Sequence, residues 1–307
     1  MDLFIVGNGF DRAHGLATSY IDFRRYLEKE DWSYLVRLEE PYGYVPESRQ
    51  DLVEKLLWRE FENNLSDINE SEIVDVATSI DMGLEGGDVG IEDTLNDYWE
   101  QQYGYIQELN DYLKSWVEQI DINVRKKTKK INEFADDLFL SFNYTLLLEK
   151  IYKIDSCQVL HIHGCMDQSV GYLPVIGHGN KQKIKKANEQ AHEASENFWE
   201  KDSSIYNAMA NYYIRTLKNV DSYLNFNVGF FKRLKSVKQI FIIGHSFGDV
   251  DLPYFREVLE NIPKDTIWNI YYYDSEEEAL FIDKAISVGV KVENIRMLPS
   301  AKFFDKD

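Results

Sequence analysis

Leu3-Phe4-Ile5-Val6-Gly7-Asn8-Gly9-Phe10-Asp11 opens the chain with four apolar residues, a turn carrying two glycines, and a helix expected to start near Asp11. A continuous apolar run of this length reads as a strand covered on both faces. Glycine is needed where a backbone takes positive φ or passes close to a ligand or another chain segment. The amides at the following helix start are then placed to receive an anion such as a pyrophosphate. The residues that position that cradle are Gly7, Asn8, Gly9, Phe10 and Asp11. The usual dinucleotide fingerprint is incomplete, because Arg12 stands where a third glycine belongs and no acidic ribose ligand follows on schedule. A tight turn in an α/β core is the bland alternative.

Outward from this stretch, short β-type runs recur at 137–142, 158–162, 172–176, 239–243, 268–273 and 291–297. Helical patterns separate most of them, which predicts an α/β fold with a mainly parallel sheet and helices on both faces. The spacing is uneven. A helical insertion is expected over 25–135 and a second over 181–235, with core strands from 2–24, 136–180 and 236–307 of a single domain, 1–307. In the first insertion Leu52, Leu56, Phe61 and Leu65 keep near-helical spacing, as do Trp99, Tyr103, Ile106, Leu109, Leu113, Trp116 and Ile120. The glycine-rich stretch 82–90 separates these two groups.

Acidic residues outnumber basic ones by 53 to 34 across 307 residues, a formal charge of −19. Such a chain is repelled by nucleic acid and anionic membrane unless it presents a local basic patch. Two basic runs exist, Arg125-Lys126-Lys127-Thr128-Lys129-Lys130 and Lys181-Gln182-Lys183-Ile184-Lys185-Lys186, and both are expected on solvated helix faces. Two cysteines, Cys157 and Cys165, form no CxxC pair, which suits a reducing compartment. No stretch approaches the roughly 20 apolar residues of a membrane helix. The expectation is a cytoplasmic protein with neither membrane nor nucleic acid as partner.

Three later motifs could carry chemistry. Ser141-Phe142-Asn143-Tyr144-Thr145 ends an apolar strand, the edge at which ligands bind in open α/β sheets. The Asn143 amide could position a water or a ribose hydroxyl, or simply cap a helix. In His161-Ile162-His163-Gly164, residues two apart on a strand face the same way, so both imidazoles could share a site for proton transfer. A structural role for each is the alternative. A metal site would need His178, His245 or Asp251 to converge there, and no metal is expected. Gly244-His245-Ser246-Phe247-Gly248 has the form of a nucleophile elbow, but no histidine follows His245, so the hydrolase triad order fails. Gly244 and Ser246 fit a second phosphate or ribose loop instead.

Taken in order, Gly7-Asn8-Gly9-Phe10-Asp11, His14-Gly15-Leu16-Ala17-Thr18-Ser19-Tyr20, Leu57-Trp58-Arg59-Glu60-Phe61-Glu62, Ser141-Phe142-Asn143-Tyr144-Thr145, His161-Ile162-His163-Gly164 and Ile243-Gly244-His245-Ser246 resemble the AbiH family of phage abortive-infection proteins. More distantly, Gly9, Gly15, Asp22-Phe23-Arg24, Asn143, His163-Gly164 and Gly244-Ser246 resemble sirtuin-like NAD-binding and NAD-cleaving proteins. Asp11 departs from that pattern by placing a negative charge near an expected pyrophosphate. The zinc-binding four-cysteine module of deacylating sirtuins is absent from the sequence. The resemblance implies a sirtuin-like, Rossmann-like sheet and a defence effector that binds NAD or a related nucleotide and hydrolyses its nicotinamide–ribose bond. Asn143 and His163 would be catalytic, and Gly7–Asp11 with Gly244 and Ser246 would hold the cofactor-like substrate. Partners implied are a nucleotide small molecule, a phage-derived or protein trigger, and a second copy of the chain. Two other readings stay open: a nucleotide-binding sensor or toxin module without cleavage, and a His-dependent nuclease or phosphodiesterase.

Overall fold

Six of the seven apolar runs become strands of one sheet, all parallel. The computed structural model describes residues 1–79, 99–100, 104–132, 135–167, 169 and 172–304, so the glycine-rich stretch 82–90 lies outside the described residues. The strands are β1 (Leu3–Val6), β2 (Leu138–Ser141), β3 (Val159–His161), β4 (Gln239–Ile243), β5 (Ile267–Tyr272) and β6 (Ile295–Pro299). Their order across the sheet is β3-β2-β1-β4-β5-β6. Beside β1, Val6 is paired in register with Ser141 on one side and Ile243 on the other. The order reverses between β1 and β4, as in a Rossmann-like sheet.

Strand alternation sorts the core into two layers. Leu3, Ile5, Leu138, Leu140, Ile240, Ile242, Trp268 and Ile270 face one layer. The helix Leu252–Asn261 covers it through Tyr254, Phe255 and Val258, and the helix Glu277–Val288 through Phe281 and Ala285. Phe4, Val6, Phe139, Ile243 and Tyr271 face the other layer, against Phe10, Leu147, Leu148, Tyr152 and Phe303. Each fully buried side chain of this size is worth about 1.5–3 kcal/mol relative to exposure.

Two expectations need correction. The run 172–176 forms no strand, because Pro174 cannot donate to a ladder. Instead the Cys165 N–H donates to the Tyr172 carbonyl and the Val175 N–H to the His163 carbonyl. The basic run at 125–130 lies on no helix face. It is an irregular segment tied down by the Lys127 N–H on the Tyr152 hydroxyl and the Thr128 hydroxyl on the Phe303 carbonyl. The alternation of Ile120, Ile122 and Val124, all packed against the second core layer, is the extended pattern that precedes it.

The chain divides into two compact units, one comprising 1–19, 113–175 and 219–307, the other 20–112 and 176–218. The first holds the sheet. The second holds helices from both stretches, whereas the helices Val220–Phe226 and Val228–Phe231 belong to the first. Its long helices Lys181–Glu196 and Glu200–Arg215 meet along a seam of small residues, Ala187, Ala191 and Ala194, where the Ser203 hydroxyl donates to the Ala191 carbonyl. Its buried polar centre is Glu39, which accepts from the Trp58 indole at 2.6 Å and from Arg24 Nε at 2.7 Å. The second basic run does lie on a helix, with Lys183 and Lys186 on Glu70. No helix among the described residues is long and apolar enough to cross a membrane.

A Cβ on Gly244 would meet the Phe10 amide nitrogen at 2.2 Å, whereas one on Gly15 would meet nothing within 4 Å. Both residues have positive φ, 66° and 84°. Alanine at each therefore pays a similar backbone strain, and the difference isolates the close approach. Gly244→Ala is expected to lower the thermal midpoint far more than Gly15→Ala in paired melts, and equal losses would refute the packing role.

Candidate functional site

The loops that leave β1 and β4 at the reversal point touch each other through glycine. A Cβ on Gly9 would lie 2.6 Å from Gly244 Cα, and one on Gly7 would lie 2.6 Å from the Gly244 carbonyl oxygen. The Gly7 N–H donates to the Ile243 carbonyl, the Gly9 N–H to the Gly244 carbonyl and the Phe10 N–H to the Gly7 carbonyl. Three amides expected to receive a pyrophosphate are thus engaged within the protein. The Phe10 ring is in the core, near His14, Tyr152 and Phe304. Asn8 is half-buried and accepts from the Thr18 hydroxyl, and Ser246 is exposed on the loop after β4. A ligand at this edge would meet Asn8 and Ser246 rather than the glycines themselves.

Asp11 is 1% exposed and serves as a structural hub. Its carboxylate accepts from Asn143 Nδ2 at 2.8 Å and from the Thr145 hydroxyl at 2.7 Å. The other hydrogen of the Asn143 amide goes to the Gly7 carbonyl at 3.0 Å. Both donors of Asn143 are therefore spent on tying the β2 loop to the β1 loop, leaving Oδ1 as its group for a ligand. Burial pushes the Asp11 carboxyl up to about 7, against the lowering effect of the Thr145 and Asn143 hydrogen bonds and of nearby His161. Its charge, which looked awkward beside a diphosphate, is turned into the protein.

His161 and His163 have different partners. β3 ends at His161, so the two-residue alternation does not continue to His163. His161 Nδ1 lies 3.0 Å from the Asn143 carbonyl and Nε2 lies 2.8 Å from Glu149 Oε1. Both ring nitrogens of His161 are thus engaged within the protein. His163 Nε2 stands 3.0 Å from Asp251 Oδ1, and His245 Nε2 stands 3.2 Å from Asp251 Oδ2. Both imidazoles pack edge-on to Phe142, at centroid separations of 5.1 and 4.2 Å. Phe142 and Asn143 are successive residues beyond β2 and point to opposite layers. The catalytic candidates Asn143 and His163 thus line one sheet edge from two separate clusters.

Asp251 was visible in the sequence only as one of three residues that might converge on a metal. Asp precedes the helix Leu252–Asn261, a position where its side chain would ordinarily accept an N–H of the first turn, a bond worth about 1 kcal/mol. It makes no such cap, since Pro253 brings no N–H to the second helical position and the Tyr254 N–H goes to the Asp251 backbone carbonyl. The carboxylate turns to the two histidines instead. His178 takes no part in this cluster: in the helical unit its Nε2 bonds the Tyr213 carbonyl and its Nδ1 the Asn180 N–H. Among the described residues no group of three or more His, Cys, Asp and Glu side chains is arranged to hold a metal ion.

The family model for bacteriophage abortive infection AbiH matches residues 3–272, from the start of β1 to the end of β5. The chain belongs to the AbiH family. No curated protein and no solved structure matches it. Every residue of both clusters in this AbiH chain falls within the matched span, and membership ties the chain to phage abortive infection.

Because Asp11 holds its proton more tightly folded than unfolded, its stabilising contribution is complete below about 3.8 and is lost as pH rises through about 7. Asp11→Asn lacks this titration. The stability of wild type relative to Asp11→Asn, from denaturant midpoints, is expected to decline between pH 4 and 7. A flat difference would show that Asp11 is not so shifted.

Proposed function

We propose that this AbiH protein is a phage-defence effector that binds NAD or a related nucleotide along the carboxyl edge of its sheet and hydrolyses the nicotinamide–ribose bond. The observation that carries the reading is His163, which sits at that edge with one ring nitrogen 3.0 Å from the buried Asp251 carboxylate. A histidine oriented by a carboxylate is the general-base arrangement of hydrolytic sites. In the proposed step the C1′–N bond breaks with its electron pair leaving on nicotinamide, and oxocarbenium character builds on the ribose. Water adds at C1′ and gives up its proton to His163, yielding ADP-ribose and nicotinamide.

The strand order supports the location, since ligands of open α/β sheets bind where the order reverses. Asn143 would contribute Oδ1 as an acceptor toward ribose or water while its amide hydrogens hold the loop. The exposed Ser246 hydroxyl and the half-buried Asn8 would contact the diphosphate half of the substrate, with Gly7, Gly9 and Gly244 shaping the floor below. This division places binding energy away from the reacting bond.

Free nicotinamide released from NAD by the purified chain, alone and with phage-infected lysate as the source of a trigger, tests the reading. Wild type is expected to release nicotinamide and His163→Ala to fall by about 10²–10⁴-fold, the range supplied by a positioned base. Asn143→Ala is expected to lose activity together with about 1–3 kcal/mol of stability, because Asp11 and the Gly7 carbonyl each lose a donor. Equal release by wild type and His163→Ala would sink the mechanism. No release under either condition would favour a nucleotide-binding module that does not cleave.

A further inference from the structure

We infer that copies of this chain associate through two unlike surfaces: the acidic tip carrying Phe198 and Trp199 on one copy docks on the basic face around Phe226 on another. The nucleotide reading assigns no residue of either surface, so the inference stands apart from it. Its starting observation is an exposed pair of large rings. Phe198 is 85% and Trp199 57% exposed, in the turn between the helices Lys181–Glu196 and Glu200–Arg215. Phe198 has φ 57°, a left-handed conformation that glycine usually adopts just past a helix end. The turn closes through the Phe198 N–H on the Ser195 carbonyl and the Trp199 N–H on the Ala194 carbonyl. A phenylalanine strained in this way with its ring in water does nothing for the fold, which points to a use outside the chain.

The charges around the two surfaces are opposite. Glu193, Glu196 and Glu200 are exposed near the two rings in sequence, and Asp202 is partly exposed beside them. Lys201 in the same turn is engaged by the Thr78 carbonyl at 2.7 Å. An open hollow here is lined by Trp199, Glu200, Lys201 and Asp202. On the other surface Phe226 is 79% and Val228 37% exposed. The helix Val228–Phe231 and the turn Lys232–Ser236 that continues it bury Phe231 and Leu234. They leave Val228, Gly229, Lys232 and Arg233 exposed, three and four residues apart on one side. Residues 226–236 contain Lys232, Arg233 and Lys235 and no acid. Among the described residues no carboxylate forms an ion pair with these three cations, and Arg233 Nη1 donates to the Cys157 carbonyl at 2.7 Å.

Each surface supplies what the other lacks. In a chain of 53 acidic and 34 basic residues, three neighbouring cations have no acid of their own, and the tip offers carboxylates. Phe226 projects as a single ring of a size to enter the hollow beside Trp199. Buried aromatic side chains supply most of the affinity of such contacts, while the charges fix orientation and partner. Like charges keep tip from tip and face from face. A nucleic acid would suit the face alone and is repelled by the tip, whereas a second copy satisfies both. A contact between unlike surfaces leaves a free tip and a free face on every pair, so it closes as a ring or extends as an open chain of copies.

Sedimentation velocity of the full chain over a range of concentrations tests the contact. Wild type is expected to pass from monomer to larger species as concentration rises to about 100 µM, and to associate about tenfold more weakly when salt is raised from about 50 mM to about 500 mM. Phe226→Ala, and Phe198→Ala combined with Trp199→Ala, are each expected to weaken association by about tenfold or more. Charge reversal gives a sharper pair. Lys232→Glu with Arg233→Glu turns the face acidic, and Glu193→Lys with Glu196→Lys turns the tip basic. Each reversed variant alone is expected to stay monomeric. Their equimolar mixture is expected to associate one to one, because the reversed face of one then meets the reversed tip of the other. All four positions are exposed, and thermal melts matching wild type separate loss of contact from loss of fold. If those melts fall, the alanine variants decide. A wild type that stays monomeric throughout overturns the proposal. So does association that survives the aromatic changes, or a mixture of well-folded reversed variants that stays monomeric.

Discussion

The contact between the glycine loops after β1 and β4 is the constraint from which the rest of the sheet edge follows. Gly9 and Gly244 bring their backbones so close that no side chain fits between them. That approach uses the amides of Gly7, Gly9 and Phe10 for hydrogen bonds inside the protein. A turn with this composition would commonly be assigned to phosphate binding. Here it seals the point where the strand order reverses and fixes the starting directions of the chain segments that carry Asp11 and His245.

With that point sealed, the polar chemistry is divided between the two layers of the core. On one side Asp11, Asn143, Thr145, His161 and Glu149 form a chain of bonds that knits the β1, β2 and β3 ends together. On the other, His163, Asp251 and His245 assemble around Phe142. Just past β2, Phe142 packs into the first core layer, whereas Asn143 is tied to Asp11 and the Gly7 carbonyl. The first cluster consists mostly of groups whose bonding capacity is consumed within the protein. The second brings one carboxylate within 3.0 Å of the His163 ring and 3.2 Å of the His245 ring.

Much of the fold is legible in the residues themselves. Runs such as Leu3-Phe4-Ile5-Val6 and Gln239–Ile243 are apolar and β-branched enough to be strands wherever they occur, and six of seven such runs are. The failure at 172–176 carried its own warning in Pro174, a residue without an N–H in the middle of the run. At 125–130 the misreading came from charge, since a lysine-rich run is equally compatible with a helix face and with an extended segment. Of the second cluster, His163 was legible as a candidate base. Its partners were not, because 82 residues separate it from His245 and 88 from Asp251 in the chain, by the numbering of the sequence.

The sequence by itself determined the α/β class, the parallel sheet, membership in the AbiH pattern and the residue types available at the strand ends. These depend on local hydrophobicity, on turn chemistry and on the order of motifs along the chain. Only the tertiary structure decided that the opening glycines contact other glycines, that Asp11 is a buried hub, and that His161 and His163 part company. Those outcomes depend on which strand ends become neighbours and on which layer each side chain enters. A hydrogen bond or ion pair is set by distances of about 3 Å between groups far apart in sequence, and no periodicity along the chain encodes them.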